Sequence, residues 1–249
     1  MNRLLFTPDL LIRKNELHST NNFALELIKT QNPSGGTVVM ALNQTEGRGQ
    51  QANTWESESG KNLTISLILR PEFILAQDQF QVSMIISLGV KDYLSSYIEN
   101  VSVKWPNDIY VGDKKIAGIL IEQSIMGSAL SHSICGLGLN INQCNFVSNA
   151  PNPTSLAILT NKEFDLDQEL EKLLESIEER YFQLVDGKSK MLEKDYLNVL
   201  YWMNERHHFS DENGEFEGEI VGITDFGQLR VKVKNEERVY NFKEVSFVR

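Results

Sequence analysis

Residues 104–120 read KWPNDIYVGDKKIAGIL, a stretch that combines a sharp corner with the pattern of two paired strands. Its Trp-Pro-Asn-Asp segment predicts a rigid turn, because proline fixes the backbone and the Asn and Asp side chains bond to their own main chain. Residues 109–111 and 115–122 then predict a β-hairpin that closes at the Gly-Asp pair 112–113. The stretch therefore brings polar and charged side chains to one corner of a predicted sheet.

The polar groups at this corner suit an anionic ligand, and a purely structural role explains them equally well. Asp108 offers the oxygen chemistry that Mg²⁺ prefers when the ion is bound to a nucleotide. Lys115 interrupts an apolar strand, where burial of its charge without an anionic partner would be costly. The alternative is a β-turn that Asp108 merely caps, with Lys115 at an exposed edge of the sheet.

The segments on either side predict an α/β (α+β) domain with a mixed β-sheet and flanking helices. A polar cap at 19–22 precedes the first predicted helix. Predicted helices cover 23–28, 77–97 and 164–184, and predicted strands cover 37–42, 63–70, 101–104 and 130–142. From about residue 213 short β runs alternate with turns, which predicts a small appended β barrel. We expect an α/β domain at 1–207 and a small domain at 208–249.

Composition excludes several classes of protein. The chain has 249 residues and a formal net charge of −10, which argues against nucleic acid as the main partner. No apolar run approaches the roughly 20 residues that span a bilayer, and no signal peptide is recognisable at the start. Two cysteines do not make a disulfide framework, so we expect reduced thiols and a cytoplasmic location.

Two further segments carry glycines where a ligand can approach the backbone. Residues 47–49 read Gly-Arg-Gly, and an arginine between glycines can hold a carboxylate or a phosphate with two hydrogen bonds. No Gly-Lys-Ser/Thr follows, so this is not a Walker A loop, and a flexible surface loop remains an alternative. Gly136 and Gly138 remove side chains from one face of a strand, which leaves room for a flat group or for close packing.

Together with Ser19-Thr20-Asn21 and Gln44, these segments resemble the biotin–protein ligase family over nearly the whole chain. The Lys-Trp-Pro-Asn-Asp block with its downstream Lys-x-x-Gly-Ile-Leu spacing is the most diagnostic part, and residues 218–248 resemble the SH3-like domain of that family. The resemblance implies a catalytic domain related to class II aminoacyl-tRNA synthetases. It also implies an ATP-dependent biotin–[acetyl-CoA-carboxylase] ligase that forms biotinyl-5′-AMP and transfers biotin to a lysine of a biotin carboxyl carrier domain.

The resemblance also implies a role for each matching residue. The implied catalytic residues are Arg48, Lys115 and Asp108, with Asp108 holding Mg²⁺ through the nucleotide. The implied biotin-binding residues are Ser19, Thr20, Asn21, Gln44, Gly47, Arg48, Gly49, Gln50, Lys115, Gly118, Gly136 and Gly138. The implied ATP-binding residues are Arg48, Asn53, Trp55, Lys104, Asn107, Asp108, Lys115 and Asn140. Hydroxyls and amides suit a buried urea, because they supply donors and acceptors without charge.

The glycine loop departs from the commoner family pattern Gly-Arg-Gly-Arg-x-Gly. Gln50 stands in place of the second arginine and Ala52 in place of the third glycine. One cation near the adenylate is therefore missing, and we expect this chain to retain its intermediate less tightly than its relatives do. Residues 47–57 are expected to close over bound ligand as a lid.

Three other functions stay open from sequence. A lipoate or octanoate ligase or transferase shares the fold, but the Gly-Arg-Gly and Trp-Pro-Asn-Asp pair points to biotin. A biotin-responsive repressor is disfavoured, because the 18 residues before Ser19 are too few for a helix-turn-helix module. A binding protein without catalysis would have no use for two cations and a carboxylate together. The resemblance leaves monomer or homodimer undecided, although edge strands in such folds often pair.

Overall fold

The computed structural model describes residues 4–50, 53–147 and 152–248, in which a seven-stranded and a five-stranded sheet are joined by helices. The strands of the large sheet are β1 (Leu11–Leu17), β2 (Thr37–Gln44), β3 (Leu63–Leu69), β4 (Val101–Lys104), β5 (Asp108–Val111), β6 (Lys114–Met126) and β7 (Ala129–Leu139). The helices are α1 (Thr20–Gln31), α2 (Phe80–Ser95), α3 (Leu156–Thr160), α4 (Leu166–Val185) and α5 (Ser189–Asn198). The small sheet holds β8 (Arg206–Asp211), β9 (Gly214–Ile223), β10 (Leu229–Val233), β11 (Glu236–Tyr240) and β12 (Ser246–Val248).

The large sheet has the strand order β1-β2-β3-β7-β6-β5-β4. Strands β1 and β2 pair in parallel through the crossover helix α1, and the other neighbours pair in antiparallel fashion. Gly138 faces Thr64 on β3 and Gly118 on β6 in this register. Small residues therefore lie side by side on the three central strands, and the part of the sheet around Gly118, Gly136 and Gly138 is called the glycine level below. The candidate site lies against it.

Helices cover both faces of the large sheet. On one face, Ala24 and Leu27 of α1 pack with buried Val39, Ile68 and Ile134. On the other face, α2 is buried along most of its length and packs against α4. A Cβ at Gly89 would lie 2.7 Å from Cα of Ile177, so only glycine permits this close helix contact. Among the helices described, none is long and apolar enough to cross a membrane.

The small sheet has the order β11-β10-β9-β8-β12 and docks on the Trp-Pro-Asn-Asp corner. The indole Nε1 of Trp105 donates to the carbonyl of Gly227, at 2.8 Å. The rings of Phe242 and Trp105 pack in a T-shaped arrangement, with 5.3 Å between their centroids. The Trp-Pro-Asn-Asp corner, which leads into strand β5 of the large sheet, is therefore also the place where the small sheet contacts the large one.

The predicted fold class is confirmed, while three elements, β1, the five-residue helix α3 and α5, were not foreseen. Strand β1 has the sequence LIRKNEL and is exposed at most positions, because it lies at the edge of the sheet. Helix α5 buries only Leu192 and Tyr196, so its apolar signal is short. Strand β8 begins at Arg206, a few residues before position 213, where the sequence starts to alternate short β runs with turns. Edge and end elements give weak hydrophobic patterns for this physical reason.

One buried carboxylate makes the stability of this fold depend on pH. Glu169 is 3% exposed and accepts hydrogen bonds from the hydroxyls of Tyr93 (2.6 Å) and Tyr97 and from Nζ of Lys172 (2.9 Å). Burial alone would raise the pKa of Glu169, but these hydrogen bonds outweigh it and lower the pKa below its ordinary value of 4.5. The ionised form therefore stabilises the fold above about pH 4.5, and this contribution is lost as the pH falls through the lowered pKa.

We expect Glu169→Gln to lower the free energy of unfolding at pH 7 by about 1–3 kcal/mol, because charge-assisted hydrogen bonds are lost. Urea denaturation between pH 3 and pH 7 measures this effect. The loss of stability on acidification should also be shallower in the variant. Glu171, exposed on the same helix, gives the control Glu171→Gln. Equal stability of the two variants at every pH would contradict the assignment.

Candidate functional site

A cavity of about 260 Å³ lies on the α1 face of the large sheet. It collects side chains from the start of α1, the loop after β2, the corner before β5, and strands β6 and β7. Fifteen of the residues predicted from sequence line it: Ser19, Thr20, Asn21, Gln44, Arg48, Gly49, Gln50, Asn53, Trp55, Asn107, Asp108, Lys115, Gly118, Gly136 and Gly138. Segments far apart in sequence therefore meet in one place.

Three predicted residues lie outside the lining of this cavity. Gly47 lies in the loop beside it, where a Cβ would come within 2.4 Å of the carbonyl oxygen of Trp55. Lys104 instead lies over the rings of Tyr110 (4.9 Å) and Phe247 (4.8 Å), at the junction with the small sheet. Asn140 is buried and donates from Nδ2 to the carbonyl of Thr154 at 2.9 Å. Ala52 lies outside the described residues.

The start of α1 places neutral polar groups in the cavity wall. The side-chain oxygen of Gln44 accepts from the backbone N–H of Thr20 (2.8 Å) and from its hydroxyl (3.1 Å). The hydroxyl of Ser66 donates to Oδ1 of Asn21 at 2.6 Å. Ser19 occupies the N-cap position but makes no capping hydrogen bond with its side chain. Its hydroxyl is therefore not committed to the helix end.

Trp55 lies flat against the glycine level of the sheet. A Cβ at Gly138 would fall 2.2 Å from Cε2 of the indole, and one at Gly118 would fall 2.8 Å from Cζ3. A Cβ at Gly136 would instead meet Oδ1 of Asn21 at 2.3 Å. These glycines thus make room for protein groups that themselves form the cavity wall. The buried indole Nε1 of Trp55 has no hydrogen-bond partner within the described ranges, which suits an acceptor on a ligand.

The two predicted cations line the cavity, and each is held by a carboxylate. Nη2 of Arg48 lies 2.9 Å from Oε1 of Glu122, and Nη1 donates to Asn22 at 2.6 Å. Nζ of Lys115 lies 2.7 Å from Oδ1 of Asp108, and both side chains are 20% exposed. These pairs fix the direction of two flexible side chains, so the cations are positioned before any ligand enters.

Sequence reasoning missed two charged residues of this region, Glu122 and Lys243. Glu122 orients Arg48 and also accepts from Nδ2 of Asn21 at 2.8 Å. Strand alternation could have found it, since Glu122 lies two and four positions beyond Leu120 and Gly118 on the same face of β6. Lys243 enters the cavity lining from the small sheet, and no local signal in the sequence indicates this.

Comparison with known proteins gives concordant similarities. The Biotin/lipoate A/B protein ligase family matches residues 15–140, and the Biotin protein ligase C terminal domain matches residues 208–248. The bifunctional ligase/repressor BirA of Bacillus subtilis is 30% identical over 229 residues, which cover 88% of this chain and 68% of that protein. The biotin–[acetyl-CoA-carboxylase] ligase of Paracoccus denitrificans is 34% identical over 126 residues, which cover 49% of this chain and 51% of that protein.

The fold is likewise similar to a solved structure. The biotin protein ligase from Aquifex aeolicus in complex with biotin and ATP superimposes with a TM-score of 0.79 at 28% identity. The similarity covers 96% of this chain and 98% of the Aquifex chain. The similarity in fold therefore extends over both sheets.

Proposed function

Because the chain belongs to the Biotin/lipoate A/B protein ligase family, we propose that it is an ATP-dependent biotin–protein ligase. The observation that carries this proposal is one cavity that joins neutral hydrogen-bonding groups with two positioned cations. Hydroxyls and amides at Ser19, Thr20 and Gln44 suit the uncharged urea of biotin. Arg48 and Lys115 suit two anions that must approach each other, a carboxylate and a phosphate.

In the first reaction, the biotin carboxylate attacks the α-phosphorus of ATP. A P–O bond to biotin forms, the bond to the leaving pyrophosphate breaks, and the products are biotinyl-AMP and pyrophosphate. Both reactants are negatively charged, so their approach is repelled in water. Arg48 and Lys115 offset this repulsion and stabilise the charge that grows at the phosphorus. No side chain has to act as a covalent nucleophile.

Asp108 fits a Mg²⁺ ion that is bound together with the nucleotide. This carboxylate lines the cavity, and Mg²⁺ commonly takes one or two carboxylates plus phosphate oxygens. In the described part of the chain, no group of three or more His, Cys, Asp or Glu side chains could hold a metal on its own. The bound ion supplies charge neutralisation on the leaving pyrophosphate.

In the second reaction, a neutral lysine amine of a carrier protein attacks the mixed anhydride. The amide bond forms, AMP leaves, and the amine loses a proton. We propose as acceptor the biotin carboxyl carrier domain of a biotin-dependent carboxylase, which would make this chain a biotin–[acetyl-CoA-carboxylase] ligase. We also propose that the glycine loop acts as a lid over bound ligand. The N–H of Trp55 donates to the carbonyl of Gly47 at 2.8 Å, which ties the two ends of this loop together beside the cavity.

Two finer features remain predictions. Cys135 is buried and unpaired and Cys144 is exposed and unpaired, which supports action in a reducing compartment such as the cytoplasm. Homodimer formation remains the second prediction, and the outer edge of the large sheet is a poor interface for it. Strand β1 presents Arg13, Lys14 and Glu16 there, and charged side chains on an edge strand oppose pairing with a second sheet.

The proposal is tested by incubating the chain with biotin, Mg-ATP and a carrier domain, followed by intact-mass measurement of the carrier. We expect one added biotinyl group per carrier, dependent on both biotin and ATP. A carrier whose target lysine is changed to arginine is the control and should stay unmodified. Parallel reactions with lipoate and octanoate separate the related activities of this fold. Transfer of either acid in preference to biotin would refute the proposal.

A further inference from the structure

We propose that Lys243, in the turn between β11 and β12, is a nucleotide-binding residue that supplies the phosphate-binding charge missing at Gln50 of the glycine loop. The inference rests on the proposed function, because it assumes that ATP binds in the cavity between α1 and the glycine loop. Lys243 and Gln50 both line that cavity, although they lie 193 positions apart in sequence. The ligand class is a nucleoside triphosphate.

The charges of the cavity wall carry the first part of the inference. Among the described residues, the cations that line the cavity are Arg48, Lys115 and Lys243. Arg48 pairs with Glu122 at 2.9 Å, and Lys115 pairs with Asp108 at 2.7 Å. No salt bridge joins Lys243 to a carboxylate in the described ranges. Lys243 is therefore the cation of this wall that is not already balanced by an anion of the protein.

A triphosphate needs such an unbalanced charge. Within a partly enclosed site, the carboxylates paired with Arg48 and Lys115 reduce the net positive potential that these cations offer, whereas ATP brings several negative charges. The chain as a whole has a formal net charge of −10, so its overall field opposes the nucleotide. An extra cation beside the phosphates offsets the electrostatic repulsion between the acidic chain and ATP.

The backbone around Lys243 is built to hold this side chain at the cavity. Residues 241–244 form a tight turn, in which Oε1 of Glu244 accepts from Nδ2 of Asn241 at 2.9 Å. Phe242 anchors the turn against the ring of Trp105, next to Pro106 and Asn107 of the cavity wall. Lys243 itself has a φ of 70°, a left-handed conformation that a lysine adopts at some energetic cost. The contact between Phe242 and Trp105 therefore places this turn beside the cavity.

Equilibrium binding of Mg-ATP tests the inference, with adenosine as the ligand that lacks phosphates. Lys243→Gln, measured by calorimetry in the presence of biotin, should raise the Kd for Mg-ATP about tenfold or more and leave the Kd for adenosine unchanged. Lys243→Arg should retain most of the affinity. Lys234→Gln is the matched control, because Lys234 is also exposed, also lies in a connection between strands of the small sheet and also has a positive φ (55°).

The double variant with Gln50→Arg and Lys243→Gln tests whether positions 50 and 243 supply the same phosphate-binding charge. Gln50→Arg restores a cation to the loop, so the loss caused by Lys243→Gln should be several-fold smaller in that background. An unchanged Kd for Mg-ATP in Lys243→Gln, or equal losses for ATP and adenosine, would overturn the inference. Biotin-dependent exchange of pyrophosphate into ATP is followed in the same samples. If ATP binds normally but this exchange is absent, the proposed ligase activity is refuted, whereas the role of Lys243 in nucleotide binding is not.

Discussion

Lys115→Ala should abolish the formation of biotinyl-AMP, with the rate falling by at least about 100-fold. Lys115 lines the cavity and is directed by the 2.7 Å pair with Asp108. Its removal deletes the cation nearest the carboxylate proposed to hold Mg²⁺ and leaves that carboxylate half-buried without its partner. A deficit in both charge stabilisation and site geometry follows, so the effect falls on the rate of adenylation as well as on affinity.

Rapid-quench measurement of biotinyl-AMP in a single turnover gives this rate directly. Lys114→Ala is a suitable control, because Lys114 is the exposed neighbour on the same strand. Lys115→Arg keeps the charge but not the shape of the ammonium, and it should recover only part of the rate. Adenylation by Lys115→Ala within a few-fold of the unchanged chain would refute the assigned role.

Gly138→Ala should weaken the binding of biotin and ATP by about 100-fold, although it adds only a methyl group. The new Cβ would lie 2.2 Å from Cε2 and 2.3 Å from Nε1 of Trp55. The indole must then leave the sheet, which displaces one wall of the cavity by an ångström or more. Misplacement on this scale in a preorganised site commonly costs that much.

Calorimetric titration with biotin, followed by Mg-ATP, measures the loss. Gly35→Ala serves as the control, because a Cβ there meets no atom closer than 3.4 Å and the backbone of that glycine needs no positive φ. Thermal denaturation of both variants separates a local effect from general unfolding. Normal affinity in Gly138→Ala would contradict the packing of Trp55 against the glycine level.

The parts of the central sheet and the cavity that have a clear local sequence pattern could be predicted from sequence. The corner at Trp105, the hairpin to β6 and the glycines of β7 each carry strong local signals, and the structure brings them to one site. Strand β1 escaped prediction because an edge strand with four exposed charged or polar residues lacks an apolar face.

The positions of Lys104 and Lys243 relative to the cavity could not be predicted, for a different reason. Lys104 belongs to the diagnostic motif, yet it lies over Phe247 of the small sheet rather than in the cavity lining. Lys243 has no motif around it and enters the cavity because the small sheet docks on Trp105. Such placements depend on how two sheets pack, which hydrophobic periodicity and motif spacing do not encode.

Exchange of labelled pyrophosphate into ATP tests most directly whether one cavity activates the acid. The unchanged chain is mixed with Mg-ATP and labelled pyrophosphate, with biotin, with octanoate, or with no acid. We predict exchange that requires biotin, is far slower with octanoate and is at background without an acid. Exchange that is independent of biotin, or undetectable at saturating biotin and ATP, would contradict the account.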